Sequence, residues 1–325
     1  MAKKSKKIVT IGGGSGQYSL LSGLRDIKGV EIIAVVSMVD SGGSTGRLRD
    51  ELGVLPPGDV LKCLLALSPF REAARKILQT KFKNDNRLNG HNAGNMLLSM
   101  LAQYAGSFPF GIEALGEILK VKGKVLPVTV DRATLAAELD NGEYLYGETA
   151  IDVSSGRRAK IKRTFLVPHH NDSIKVYSPV MEAIKEADFI VIGPGDLYTS
   201  IIPNFLVPGV TEEIKKAKGK LIYAVNIMTK FGETDKFKAG DFIKVIEEKI
   251  KRRLDFILIN SSQPDKKLIK KYAAQKAEIV MNNFNGKAGG RHIIVEDFLH
   301  THGDIARHNS KKLASVIGKI INNKI

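Results

Sequence analysis

The 325-residue chain has a single cysteine, Cys63, so an internal disulfide framework is excluded. A lone thiol set among Leu61, Leu64 and Leu65 reads as a core residue, and the expected compartment is the reducing cytoplasm. Nowhere is there a run of the roughly 18 apolar residues that a membrane-spanning helix needs. The first apolar stretch, Ile8–Ile11, stops at glycines and is too short for the core of a signal peptide. Internal repeats and low-complexity segments are also lacking. Acidic residues are the scarcer charge: 34 Asp and Glu against 50 Lys and Arg leave a net charge of +16. That excess fits an acidic metabolite and a solvated lysine-rich surface equally well. Nucleic acid is the disfavoured partner, because no basic stripe is interleaved with aromatics as base stacking requires.

What the chain does have is an alternation of apolar runs and small-residue loops. Lys7–Ile11 runs into Gly12-Gly13-Gly14-Ser15-Gly16, and Glu31–Val39 runs into Asp40-Ser41-Gly42-Gly43-Ser44-Thr45-Gly46-Arg47. Short Val/Ile-rich runs of this kind read as strands of a parallel sheet buried on both faces. A glycine loop at the end of such a strand, opening a helix, lets backbone N–H groups close on an anion. The pattern returns at Phe189–Ile192, Lys220–Ile227 and Phe256–Asn260, each ending in a Gly, Ser, Asn or Asp loop. The predicted fold is therefore α/β: a three-layer, Rossmann-like, mostly parallel sheet. We read a single domain over residues 1–325 with a β-rich insertion at about 124–167, where alternation and the Asp140-Asn141-Gly142 turn replace the helix–strand rhythm. Within it, Arg157–Arg163 reads as an edge strand guarded by charge. Five polar loops on one sheet edge predict a ligand cleft where strand order reverses.

Two common tenants of such a cleft are disfavoured. A dinucleotide fingerprint needs Gly or Ala at position 17, which is Gln17, and neither loop carries the Lys-Ser/Thr ending of a P-loop. A nucleotide diphosphate suits the remaining features. The two loops can cradle its phosphates, Arg47 or Arg307 can pair with them bidentately, and Asn92 and Asn95 offer two-sided hydrogen bonding to a sugar. Tyr272, next to Lys270 and Lys271, reads equally as a base-stacking ring or a half-buried surface tyrosine. Asp40 and Asp59 are the candidate catalytic pair and candidate Mg²⁺ ligands, with capping of the helix over Leu61–Leu67 as the competing role for Asp59. A zinc reading of His300, His302, Asp304 and His308 lacks the paired spacing of such sites.

Several stretches resemble one family. Ile11–Gly16, Asp40–Asp59 (DSGGSTGRLRDELGVLPPGD), Gly90–Asn95, Gly193–Pro208, Asn226–Thr234 and Arg307-His308 are similar to the YvcK-type gluconeogenesis factors of the CofD-like superfamily, which includes 2-phospho-L-lactate transferase. The resemblance implies a CofD-like fold and a cytoplasmic factor needed for cell shape and wall synthesis during gluconeogenic growth. It also implies binding of UDP-sugars such as UDP-N-acetylglucosamine, or, in the transferase branch, Mg²⁺-dependent transfer. It adds Gly193, Gly195, Asp196 and Asn226 to the ligand-binding candidates. Ser310, three residues from Arg307 at the start of the last helix, is a candidate phosphosite. A homo-oligomer is compatible with the sequence.

Overall fold

The computed structural model describes residues 5–83, 88–152, 159–169, 173–284, 289–302 and 304–325. Its strands in chain order are β1 (Lys6–Gly12), β2 (Val30–Val36), β3 (Lys124–Pro127), β4 (Ala133–Leu139), β5 (Tyr144–Tyr146) and β6 (Ile161–Pro168). They continue with β7 (Phe189–Ile192), β8 (Lys220–Ala224), β9 (Phe256–Asn260), β10 (His292–Glu296), β11 (Leu299–His302) and β12 (Ile305–His308). Seven of them form the central sheet in the order β10-β9-β8-β7-β1-β2-β3. Every pairing in it is parallel.

Apolar continuity drives this arrangement. All of β7 (FIVI) and β9 (FILIN) is buried, as are the last five residues of β1. Strands apolar on both faces need helices above and below. Close glycine contacts set part of that layering. A Cβ at Gly23, in the helix Gly14–Leu24, would lie 2.1 Å from the Ser310 carbonyl, so only hydrogen there lets the helix Ser310–Ile321 approach.

The β-rich insertion is smaller than the sequence suggests. Its first residues, 124–127, form β3, the edge of the central sheet, held in register with Ile33–Val36 of β2. The separate sheet is antiparallel, ordered β5-β4-β6, and spans residues 133–168. The charged edge is observed as β6, which pairs with β4 alone; Arg157 and Arg158 lie outside the described residues, as do positions 84–87 of the polar run before Gly90. Val39, Leu135, Ala137 and Ile151 form a small core that fixes this sheet to the second glycine loop. Two expected strands stop early: β2 at Val36, with Ser37–Val39 buried as irregular chain, and β8 at Ala224. The hairpin of β11 and β12 was not anticipated. Among the described residues no helix is long and apolar enough to cross a membrane.

Candidate functional site

Strand order reverses between β1 and β7: the chain proceeds from β1 outward through β2 and β3, and from β7 outward through β8, β9 and β10. Ligands of open parallel sheets bind outside the carboxyl ends of the strands flanking such a point. A cleft of about 470 Å³ lies there. The loops after β1 and β7 form its floor, the segment after β8 one wall, and the β11–β12 hairpin with Tyr272 another.

Gly13, Gly14, Ser15 and Gly16 of the first loop all line the cleft, while Gly12 lies behind them against Gln17. Gln17 is fully buried and braces the floor, its amide donating to Thr10 Oγ1 at 3.1 Å and to the Val35 carbonyl at 3.0 Å. Gly16 meets the third loop so closely that a Cβ would stand 2.2 Å from the Pro194 carbonyl oxygen. The first amide of the helix Gly14–Leu24 is already engaged: Gly14 N–H donates to Asp59 Oδ2 at 2.7 Å. Asp59 therefore caps this helix rather than its own, Gly58–Leu67, where Pro57 holds the cap position without a side-chain bond. Its other oxygen accepts from Lys62 Nζ at 2.8 Å. The amides of Ser15 and Gly16 belong to the same first turn, which has no carbonyls of its own to satisfy it.

Carboxylates gather on one side of the cleft. Asp40 accepts from Gly42 N–H at 2.9 Å; burial, and then the charge of Asp59, pushes its pKa upward. Glu148, on the short helix Glu148–Asp152 after β5, is pushed up to about 7 by burial and by Asp40 and Asp59. Asp196 is likewise raised to about 7, by its confinement in the cleft wall and then by Glu233 and Asp59, although 44% of its side chain stays exposed. Lys230 opposes this charge, contacting Asp152, Asp196 at 2.8 Å and Glu233 at 3.3 Å. It thereby ties the antiparallel sheet's helix to the loops after β7 and β8.

The second loop behaves differently. Apart from Asp40, none of its residues lines the cleft. Ser41 Oγ accepts from Thr149 N–H at 3.1 Å, and Gly42 sits against Glu148 and Thr149. Gly43 faces open space. Ser44 Oγ lies 2.9 Å from His91 Nδ1, and Asn95 Nδ2 reaches Ser44 and Thr45, both at 3.4 Å. Asn92 caps the helix Ala93–Tyr104 through Asn95 N–H, and Arg47 donates to the Asn89 carbonyl. Ser44, Thr45, Arg47, Asn92 and Asn95 thus meet one another and fasten the second loop to residues 89–95.

On the far wall, Asn226 lines the cleft and donates to the Gly195 carbonyl at 2.8 Å, while its buried Oδ1 has no hydrogen-bond partner. Gly193 lies beneath, donating to the Ile11 carbonyl at 3.0 Å. Tyr272 lines the cleft half-buried, and its hydroxyl accepts from Ala306 N–H at 3.0 Å, which fixes the ring against the hairpin. Arg307 reaches the same cleft from β12. Neighbouring His308 is buried with Nε2 at 3.1 Å from the Val225 carbonyl, and burial lowers its pKa to about 4. Asp304 pairs with Lys271, and among the described residues no His, Cys, Asp and Glu cluster is suited to a metal on its own. Ser310 lines a separate depression with Ser22, Asp26 and His300.

Comparison with known proteins shows the family. The family model described as "2-phospho-L-lactate transferase CofD" matches residues 8–299. The chain belongs to the CofD family. Within that family it is 39% identical to the gluconeogenesis factor of Listeria innocua, over 100% of this chain and 98% of the relative. It is 38% identical to the gluconeogenesis factor of Bacillus subtilis, over 96% of each chain. A crystal structure of a Bacillus halodurans protein superposes with a TM-score of 0.89 at 40% identity, covering 97% of this chain and 99% of that one.

Three charged residues that line this CofD-family cleft, Lys62, Glu148 and Lys230, escaped the sequence reading. Lys62 had a usable signal, a single cation three residues from Asp59 on an otherwise apolar helix. Glu148 and Lys230 had none beyond their place in polar loops, since only the fold brings the antiparallel sheet to the cleft.

Proposed function

We propose that the switch-point cleft binds a nucleotide diphosphate sugar of the UDP-N-acetylglucosamine type. Binding makes the chain a cytoplasmic regulatory factor for cell shape and wall synthesis during growth on gluconeogenic carbon. The observation that carries this reading is the convergence on one cleft of a helix N-terminus, the Arg307 guanidinium and the fixed Tyr272 ring. Amides and guanidinium suit a diphosphate, and the ring suits a base. Asn226, on the cleft wall, brings an amide side chain of the kind that hydrogen-bonds a sugar amide or hydroxyl. The name carried by the relatives supports the gluconeogenic setting. Isothermal titration with UDP-N-acetylglucosamine tests it: saturable binding that Arg307→Ala abolishes is expected, and absence of binding by the wild type refutes it.

A second reading, Mg²⁺-dependent transfer of the 2-phospho-L-lactate transferase type, is favoured by the family's own description together with the charge of Asp59 that pushes the Asp40 pKa upward. Two crowded carboxylates fit a Mg²⁺ ion that completes its shell with substrate phosphate oxygens, where it would supply charge neutralisation. Asp40 and Asp59 would hold it. Turnover of a phosphate-bearing donor with Mg²⁺, lost in Asp40→Asn, would move the conclusion to this reading.

A further inference from the structure

The helix that forms one side of the first glycine loop's surroundings, Gly58–Leu67, is apolar almost throughout, with Val60, Leu61, Cys63, Leu64 and Leu65 buried. Lys62 is its one basic residue. Its side chain is 34% exposed and lines the same cleft as Ser15, Gly16 and Arg307. Asp59 tethers it at 2.8 Å and simultaneously occupies Gly14 N–H at 2.7 Å. That arrangement poses an electrostatic problem for any anionic ligand. A carboxylate stands at the helix N-terminus, where a phosphate is otherwise drawn, and it would repel the phosphate unless neutralised. Lys62 neutralises it and has three N–H donors, of which the Asp59 bond uses one.

We propose that Lys62 is a phosphate-binding residue of the cleft, its ammonium bridging Asp59 and the diphosphate of the bound ligand. This inference rests on the nucleotide-sugar reading above and adds a residue to it. Gly13 is part of the device: a Cβ there would stand 2.8 Å from Asp59 Oδ2, so a side chain at 13 would dislodge the carboxylate that holds Lys62.

The test titrates UDP-N-acetylglucosamine and, separately, inorganic pyrophosphate into the wild type, Lys62→Gln and Lys62→Arg, with thermal melts as a check on folding. Loss of a charge-assisted bond predicts weakening of both probes by about ten- to hundredfold in Lys62→Gln. Lys62→Arg, which keeps the charge, should recover most of it, a rescue that a packing role would not require. Acetylation of surface amines on the wild type, read by mass spectrometry, gives a second measure independent of any variant. Lys62 should be protected when pyrophosphate is bound. Undiminished binding by folded Lys62→Gln, or acetylation of Lys62 unaffected by saturating pyrophosphate, overturns the inference. Wild-type binding of pyrophosphate but not of the nucleotide sugar, with Lys62→Gln losing it, upholds Lys62 and removes the nucleotide-sugar reading. Wild-type binding of neither overturns both.

Discussion

The two glycine loops carry the same local signal, a buried Val/Ile strand ending in glycines and hydroxyls, yet the fold uses them in opposite ways. The first, after β1, is a floor that faces the cleft. The second, after β2, is turned inward and bolted to the segment 89–95 and to Thr149. Topology explains the divergence. β1 borders the point where strand order reverses, whereas β2 sits one strand further out, between β1 and the edge strand β3. A glycine loop is thus a licence for close approach, and its position in the sheet decides whether the approaching group is a ligand or another part of the chain.

Substitutions can break or sharpen that contrast. The largest effect should come from Gly16→Ala, whose Cβ would stand 2.2 Å from the Pro194 oxygen. Backbone on both sides leaves little room to relax, and a loss of about 3 kcal/mol is expected in denaturant melts. Gly42→Ala in the second loop has its nearest neighbour at 3.4 Å, an Asp40 oxygen. Its change should stay within about 0.5 kcal/mol. Equal costs for the two would contradict the difference in room around these two glycines. Next in size, Ser44→Ala removes the hydroxyl at 2.9 Å from buried His91 and should cost about 1–2 kcal/mol of stability. Nucleotide-sugar affinity should be unchanged, because the Ser44 hydroxyl meets His91 and Asn95 and does not line the cleft.

The smallest effect concerns pH. Glu148 and Asp196 titrate near pH 7, so raising the pH from 6 to 8 adds negative charge to the cleft and should weaken a diphosphate ligand a few-fold. Glu148→Gln should flatten that dependence, and a profile identical to wild type would count against a cleft-facing Glu148. Stability carries the same sign. A carboxyl raised from 4.5 to about 7 favours the fold when protonated, and that advantage is lost as pH rises through about 7. Buried His308 acts oppositely: its neutral form is favoured, and stability falls as pH drops from 6.5 towards about 4.

The strands, the helices between them and the polar edge were legible because hydrophobic periodicity is a local property. The order of the strands was not, and with it went the knowledge of which loop lines the cleft. Asp59 shows the limit most plainly. Read along the chain it is a good cap for the helix it begins, but the bond it makes is to Gly14, 45 residues away. Asn95 and Arg47, with the right chemistry for a ligand, hydrogen-bond across the junction of the second loop with residues 89–95. Glu148 lies on a short helix following β5 of a sheet whose docking on Val39 no local pattern announces.

The two arginines offered by sequence as phosphate partners separate the alternatives most directly. Titration of UDP-N-acetylglucosamine into Arg307→Ala and Arg47→Ala, both shown to be folded, compares the cleft with the second loop in one assay. The switch-point site predicts that Arg307→Ala loses binding and Arg47→Ala keeps wild-type affinity. Binding retained by Arg307→Ala and lost by Arg47→Ala would place the ligand on the second loop and contradict it.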